Sequence, residues 1–289
     1  MDIAALKAFM AVAETGSFSR AAEKNFLTQP AMSKRIATLE AELGTPLFDR
    51  IGRRIQLTEA GRTLLPHCKS ILNELNDARR QLINLTGSVS GPLTMATSHH
   101  IGLHRLPPAL ARFHEQYQQV SLDIRFMDSE SACQAVAEGE FELAVVTLPS
   151  DPPEHLLLKK LWDDPLEIVV GAQHPLAKQG RVSPNNLVAY PAILPGPGTF
   201  TREKVLSALG PHRHQITISM ETNYLEVLKM LASIGLGWTA LPHTMIDDDL
   251  IVVEAEGMTI HRELGIVRHA ARTLSNAAQA MIEVIGQPQ

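Results

Sequence analysis

The sequence predicts a multidomain chain: a mainly-α head, a long connecting helix and an α/β body. Three observations predict it. Residues 1–85 read as amphipathic helices with one short interruption, residues 64–85 repeat apolar positions at alternating spacings of four and three, and from residue 93 onward strand-like and helix-like stretches alternate. At 289 residues the chain can hold two or three ordinary cores. It is 45% hydrophobic and 20% charged, and no apolar run nears the ~20 residues of a membrane helix, so no membrane partner is expected. The N-terminus lacks a basic stretch and carries Glu14, which argues against a signal peptide. Cys68 and Cys133 are too few and too far apart for a disulfide framework or a zinc site. These features predict a cytoplasmic protein with reduced thiols.

Charge is unevenly spread. Residues 1–90 carry 12 Lys/Arg and 9 Asp/Glu, a net of +3, and the other 199 residues carry 14 and 22, a net of −8. A basic head on an acidic body follows, with Arg20, Lys24, Lys34, Arg35, Arg50, Arg53 and Arg54 supplying the positive charge.

The head begins with an amphipathic helix bearing Ile3, Leu6, Phe9, Met10 and Ala13, and Gly16 ends it. Ser17 caps a second helix, in which Ala21 and Ala22 allow close packing. Thr28 caps a third, with Pro30 in the first turn where a missing N–H costs nothing. Met32, Ile36, Leu39 and Leu43 form its buried stripe, while Gln29, Ser33, Lys34 and Arg35 crowd its start with hydrogen-bond donors. Two short helices around a tight turn, the second polar at its N-terminus, make a helix-turn-helix. Pro46 then breaks the helix, and residues 51–55 read as a small hairpin with a basic tip.

Thr58 opens a long helix on which Leu64, Cys68, Ile71, Leu75, Ala78, Leu82 and Leu85 form a coiled-coil seam. The alternative, a helix packed on its own domain, is disfavoured because no nearby segment offers a partner of equal length. TGSVSGP (86–92) reads as a flexible linker. Beyond it, repeated β–α alternation implies parallel sheets covered by helices, in two units whose crossings leave a cleft.

Residues 13–61, AETGSFSRAAEKNFLTQPAMSKRIATLEAELGTPLFDRIGRRIQLTEAG, resemble the DNA-binding signature of LysR-type transcriptional regulators without gaps. LPPALARF, AEGEFELAVV, HPLA and ASIGLGWTALP extend the resemblance along the whole chain. Glu142 stands where the family usually has Asp, and the histidines of TSHHIGLH are not a family constant. The resemblance implies a winged helix-turn-helix over 1–58, a linker (dimerisation) helix over 59–88, and an effector domain over 92–289. That domain would have two Rossmann-like subdomains, 92–161 with 267–289 and 162–266, like the type 2 periplasmic binding proteins. It further implies promoter DNA, a small-molecule effector, RNA polymerase and the chain itself (homodimer or homotetramer) as partners.

In that frame the third helix is the recognition helix. Gln29 suits a base edge, Pro30 and Ala31 a thymine methyl, and Lys34 guanine or phosphate. Ser17, Ser19 and Thr28 at helix starts suit phosphates, with Ser33 and Arg50 beside them. Arg53 and Arg54 on the wing would reach the backbone or minor groove, whereas Arg35 could instead pair with Glu42 or Glu23. Effector contacts are expected where strands end: Ser98, His99 and His100; Ser129; Thr147; Thr199 and Phe200; Thr222 and Asn223. Hydroxyls and N–H groups at helix starts favour a carboxylate or small oxyanion, and the absence of an evident arginine favours a single charge. His99, His100 and His104 admit a metal site, an effector contact or plain packing, and no carboxylate near in sequence completes a metal site. No metal and no cofactor is therefore expected. The competing function, an enzyme or small-molecule-binding protein with a DNA-binding head, finds no nucleophile elbow, phosphate-binding glycine loop or metal triad.

Overall fold

The computed structural model describes residues 1–51 and 54–287. These fall into two compact units, Met1–Thr86 and Gly87–Gln289.

In the first unit, α1 (Ile3–Thr15) starts at Asp2, whose carboxylate accepts from the Ala5 N–H, and ends at Gly16 with φ +59°. Ser17 accepts from the Arg20 N–H to start α2 (Phe18–Lys24), and Thr28 accepts from the Ala31 N–H to start α3 (Gln29–Leu43). Strands β1 (Phe48–Ile51) and β2 (Arg54–Leu57) pair antiparallel. The Glu40 carboxylate accepts from the Leu47 N–H at 2.7 Å and the Phe48 N–H at 3.3 Å, which ties α3 to β1. Met32, Ile36 and Leu39 are buried with Phe9, Val12, Ala21 and Leu47 in one core; Leu43, at the end of the expected stripe, stays 40% exposed.

The long helix α4 (Glu59–Asn84) starts at Thr58, which accepts from the Gly61 N–H at 3.0 Å and donates to the Pro46 carbonyl at 2.8 Å. At Gly61 a Cβ would lie 2.2 Å from the Leu47 carbonyl oxygen, so only glycine lets the helix pass this close. The heptad spacing places Cys68 in an intermolecular seam, and here the structure differs. Cys68 is fully buried in the core of its own unit, with Leu64, Leu65 and Leu72 packed around it. Apolar spacing marks which face of a helix is covered, not whether a second chain covers it. Farther along, Ile71, Leu82 and Leu85 are exposed, Leu82 by 67% and Leu85 by 83%.

In the second unit, β3 (Gly91–Thr97), α5 (His99–His104), α6 (Pro107–Gln116), β4 (Val120–Phe126), α7 (Ser129–Ala137) and β5 (Leu143–Thr147) build a first lobe. β6 (Leu156–Gly171) crosses to a second lobe of β7 (Arg181–Val182), α8 (Pro184–Val188), β8 (Ala192–Leu194), α9 (Phe200–Leu209), β9 (Ile218–Glu221), α10 (Leu225–Ser233), β10 (Thr239–Pro242), β11 (Leu250–Val252) and β12 (Glu254–Ala255). β13 (Ile260–His269) crosses back, and α11 (Asn276–Ile285) closes the first lobe. Leu93, Met95, Phe113 and Met281 centre one core and Ile168, Val170, Val205 and Trp238 the other. Among the described residues no helix is long and apolar enough to cross a membrane.

The main sheet runs β10-β6-β13-β5-β3-β4, with β11 also on β6. Parallel pairing, as the alternation predicts, holds for β3 with β4 and β5 and for β8 with β9. The crossings do not follow it. β13 pairs antiparallel with both β5 and β6, because a chain that leaves one lobe and returns runs in opposite directions. The expected subdomain limits, 161/162 and 266/267, fall inside these two strands.

Burial lifts the thiol of Cys68 to about 11 and that of Cys133 to about 12. The folded chain is therefore expected to resist iodoacetamide at pH 8, with both thiols labelling only in denaturant, and mild oxidation should give no Cys68-linked dimer. Rapid labelling of Cys68 without unfolding would contradict its packing.

Candidate functional sites

In the helix-turn-helix, α2 and α3 meet through Ala21 and Ala22 and the buried stripe of α3, which leaves the first turns of α3 outward. Thr28, Gln29, Pro30 and Lys34 are exposed, Ala31 and Ser33 partly so, and the Gln29 side-chain amide donates to the Ser33 hydroxyl at 3.1 Å. Ser17 is half-buried in its capping role and Ser19 is exposed. Glu42 is taken by the N-terminal ammonium at 2.5 Å, so it is not the partner expected for Arg35. Arg50 and Arg54 belong to β1 and β2, and Arg53 lies outside the described residues. Sequence reading missed Phe26. Its φ is +54°, rare for a bulky side chain, and its ring is 98% exposed in the turn between the two helices.

In the second unit the lobes enclose a cavity of about 50 Å³. Of the residues expected there, Ser98, His99, His100, Ser129, Thr147, Thr199 and Asn223 line it. Phe200 and Thr222 do not: Phe200 lines a separate open groove of about 680 Å³ with Ser207 and Arg213, and the Thr222 hydroxyl accepts from the Tyr224 N–H at 3.4 Å. Ser98 and Thr199 stand at the starts of α5 and α9, yet neither side chain caps its helix. The Thr199 hydroxyl donates to the Gly196 carbonyl at 2.8 Å, while the Ser129 hydroxyl accepts from the Thr147 N–H at 3.1 Å.

Hydrogen bonds and a ring contact join the lobes around the cavity. Asn223 donates to Asp128 at 2.8 Å and accepts from the Gly196 N–H at 2.8 Å. The Glu130 carboxylate accepts from the Phe200 N–H at the start of α9. The His99 ring meets Tyr224 edge-on, centroids 4.8 Å apart. His104 Nε2 lies 3.1 Å from Glu226 Oε1.

The arginine that the sequence does not reveal is Arg262, a buried side chain of β13 in the cavity lining. Its Nε donates to Asp164 at 2.6 Å and its Nη1 to the Thr201 hydroxyl at 2.9 Å. Asp164, directly opposite in the β13–β6 ladder, is 1% exposed and also lies 3.5 Å from Arg105. Burial pulls Arg262 below its ordinary value, and the adjacent carboxylate opposes that. Burial and Arg262 lower His100 to about 3, leaving it neutral at physiological pH. Glu130 is raised above the usual carboxylate range by burial, against the pull of the Phe200 N–H. Arg262, Asp164, Asp128, Glu130 and Thr201 were not expected in the site; Asp128 at the N-cap of α7 and Glu130 in its first turn carried a local signal.

Two family models match this chain: "LysR substrate binding domain" over residues 86–288 and "Bacterial regulatory helix-turn-helix protein, lysR family" over residues 3–62. An uncharacterized HTH-type transcriptional regulator in an ibpB-leuC intergenic region of Azotobacter vinelandii is 67% identical over 111 residues, 38% of this chain and 77% of that one. The HTH-type transcriptional activator CmpR of Synechocystis sp. is 30% identical over 284 residues, 96% of this chain and 92% of CmpR. Among solved structures, a full-length OxyR variant from Pseudomonas aeruginosa superposes with a TM-score of 0.71 at 23% identity, covering 99% of this chain and 93% of that one. At that identity the likeness is one of fold.

Proposed function

The chain belongs to the LysR family of bacterial transcriptional regulators, and from that premise we propose that it binds promoter DNA through α3 under the control of a small molecule held between the lobes of its second unit. The observation that carries this reading is the polar, exposed start of α3 on a helix whose opposite face is held by buried Met32, Ile36 and Leu39. Such a helix offers donors to a major groove while its own core fixes their positions. Gln29 reads a base edge, Pro30 and Ala31 meet a methyl group, and Ser17, Ser19, Thr28, Ser33, Lys34, Arg50, Arg53 and Arg54 hold phosphates or neighbouring bases. Self-association uses the exposed apolar end of α4, with Ile71, Leu82 and Leu85.

The effector reading follows from size and charge. A cavity of about 50 Å³ is far below the ~300–1,000 Å³ of drug-sized ligand sites, so the effector is small or enters as the lobes part. Hydroxyls of Ser98, Ser129 and Thr147 and the start of α9, beside Thr199 whose own O–H goes to Gly196, favour an acid group. Asp128 and Glu130 oppose one, but Glu130 already occupies the Phe200 N–H where an acid group would sit. Glu130 is thus a stand-in for the effector's carboxylate or oxyanion, and a partly buried one whose charged form burial disfavours. Arg262 carries a charge that Asp164 offsets, which keeps a singly charged effector the best match.

Gel retardation on the DNA flanking the gene tests the regulator role; no retardation at low salt would favour a ligand-binding protein without a DNA target. Gln29→Ala is expected to cost ~1–3 kcal/mol on the specific site and to relax base preference. Arg53→Ala should instead weaken specific and non-specific binding alike and flatten the salt dependence. Equal loss of base preference in both variants would overturn this division of roles.

Glu130→Ala removes the stand-in. In titrations of small carboxylates and oxyanions followed by thermal shift, the active compound should reach half-saturation at a concentration about tenfold lower than with the unaltered chain, the value of a charge-assisted hydrogen bond. Unchanged or weaker binding would show that Glu130 does not compete with the effector.

A further inference from the structure

His100 and His104 lie one turn apart on one face of α5, the i, i+4 spacing that presents two imidazoles to one ion. Their ring centroids are 4.9 Å apart. The third member comes from the other lobe: Glu226, in the first turn of α10, sets Oε1 3.1 Å from His104 Nε2. One ligand atom from each of the three residues lies within 4.8 Å of the others. Zinc–nitrogen and zinc–oxygen bonds of about 2.0–2.2 Å put tetrahedral ligand atoms ~3.4 Å apart, so His104 and Glu226 are already at that spacing and His100 needs only a small side-chain adjustment.

The environment separates this cluster from a chance grouping. His100 is only 5% exposed, and neither of its ring nitrogens has a hydrogen-bond partner among the described residues. A buried imidazole without a partner is costly in a native core. His104 and Glu226 are partly open to solvent, which provides an entry path. The α5 backbone is held firmly, since a Cβ at Gly102 would lie 2.3 Å from the Phe126 ring. Arg262 and Arg105 face the single carboxylate of Asp164, a net positive charge near His100 that the Glu226 carboxylate offsets. The other such cluster among the described residues, Asp163, His261 and Glu263, has all three residues exposed, and Lys160 already bridges its two carboxylates at 2.7 and 2.8 Å.

We propose that His100, His104 and Glu226 form a site for one divalent transition-metal ion of the zinc class, bound across the two lobes at the rim of the cavity. Imidazole and carboxylate ligands suit zinc, cobalt and nickel better than magnesium or calcium. Three protein ligands leave a coordination position free for water or another small donor. Because the ligands come from α5 and α10, the ion adds a link between the lobes beside the Asp128–Asn223 contact. The site stands apart from the effector reading, since it can be occupied with no effector present.

The test uses the full chain, stripped with chelator, dialysed and titrated with Zn²⁺ by calorimetry, then with Co²⁺ by visible absorption. One equivalent of Zn²⁺ is expected to bind, with a Co²⁺ ligand-field spectrum of low coordination number. His104→Ala and Glu226→Gln should each weaken Zn²⁺ binding at least about tenfold and change that spectrum, as loss of a ligand does, while His261→Ala should leave both untouched. Both altered residues are partly exposed, and circular dichroism checks that the variants fold. Absence of saturable binding, binding unaffected by His104→Ala and Glu226→Gln, or binding abolished by His261→Ala would each overturn the proposal.

Discussion

The second unit depends on one buried ion pair. Arg262 and Asp164 face each other across the β13–β6 ladder, on the two strands that carry the chain between the lobes. Alone, either charge would be expensive at that depth; together they are satisfied by each other, by the Thr201 hydroxyl of α9 and by the approach of Arg105 from the first lobe. The pair sits where the two crossing strands join the lobes, and Arg262 lines the cavity formed there. A buried pair of this kind is weak evidence for stability, and in this register of β13 against β6 both charges find partners.

From that fixed point the cavity acquires its chemistry. Helices α5 and α9 begin at its edge with N-cap residues whose side chains leave the helix starts uncapped, and Glu130 reaches from the first lobe to the start of α9. The contacts that close the lobes include polar ones, Asp128 to Asn223, Glu130 to the Phe200 N–H and His104 to Glu226, beside the His99–Tyr224 ring contact and the packing of Phe200 on the first lobe. Polar contacts can be exchanged for contacts to a ligand at little net cost, whereas an apolar interface between the lobes would resist opening. The head follows a different logic: its core holds α3 by one stripe and leaves the other face to present donors.

Legibility in the sequence followed the range of the interaction. Ser17, Thr28 and Thr58 were legible as helix starts and Gly16 as a stop, because capping acts within three or four residues. The alternation of strands and helices in the body was legible, but short elements such as α5, β7, α8 and β12 were not. Cys68 was legible as a covered position but not as covered by its own core, since one apolar face looks the same whichever partner lies on it. The antiparallel crossings were not legible, because strand direction is decided by where the chain must return. Arg262 carried no local mark of its place: its partner lies 98 residues away, and the partner of His104 lies 122 away. Phe26 carries no local mark of a positive φ, which in a non-glycine residue is imposed by the turn it joins.

The claim on which this account rests is that Asp164 and Arg262 act as one unit. A double-mutant cycle with Asp164→Asn, Arg262→Met and the combined variant measures it, with urea unfolding followed through Trp162 and Trp238, the two tryptophans of the chain, both in the second unit. Asp164→Asn leaves the Arg262 charge without its carboxylate and Arg262→Met leaves Asp164 only Arg105 at 3.5 Å, so each should cost about 3–5 kcal/mol, whereas the combined change removes both charges and should cost less than the sum by ~2 kcal/mol or more. Additivity within ~0.5 kcal/mol would mean that the two residues do not depend on each other, and that the meeting point of the lobes is set elsewhere.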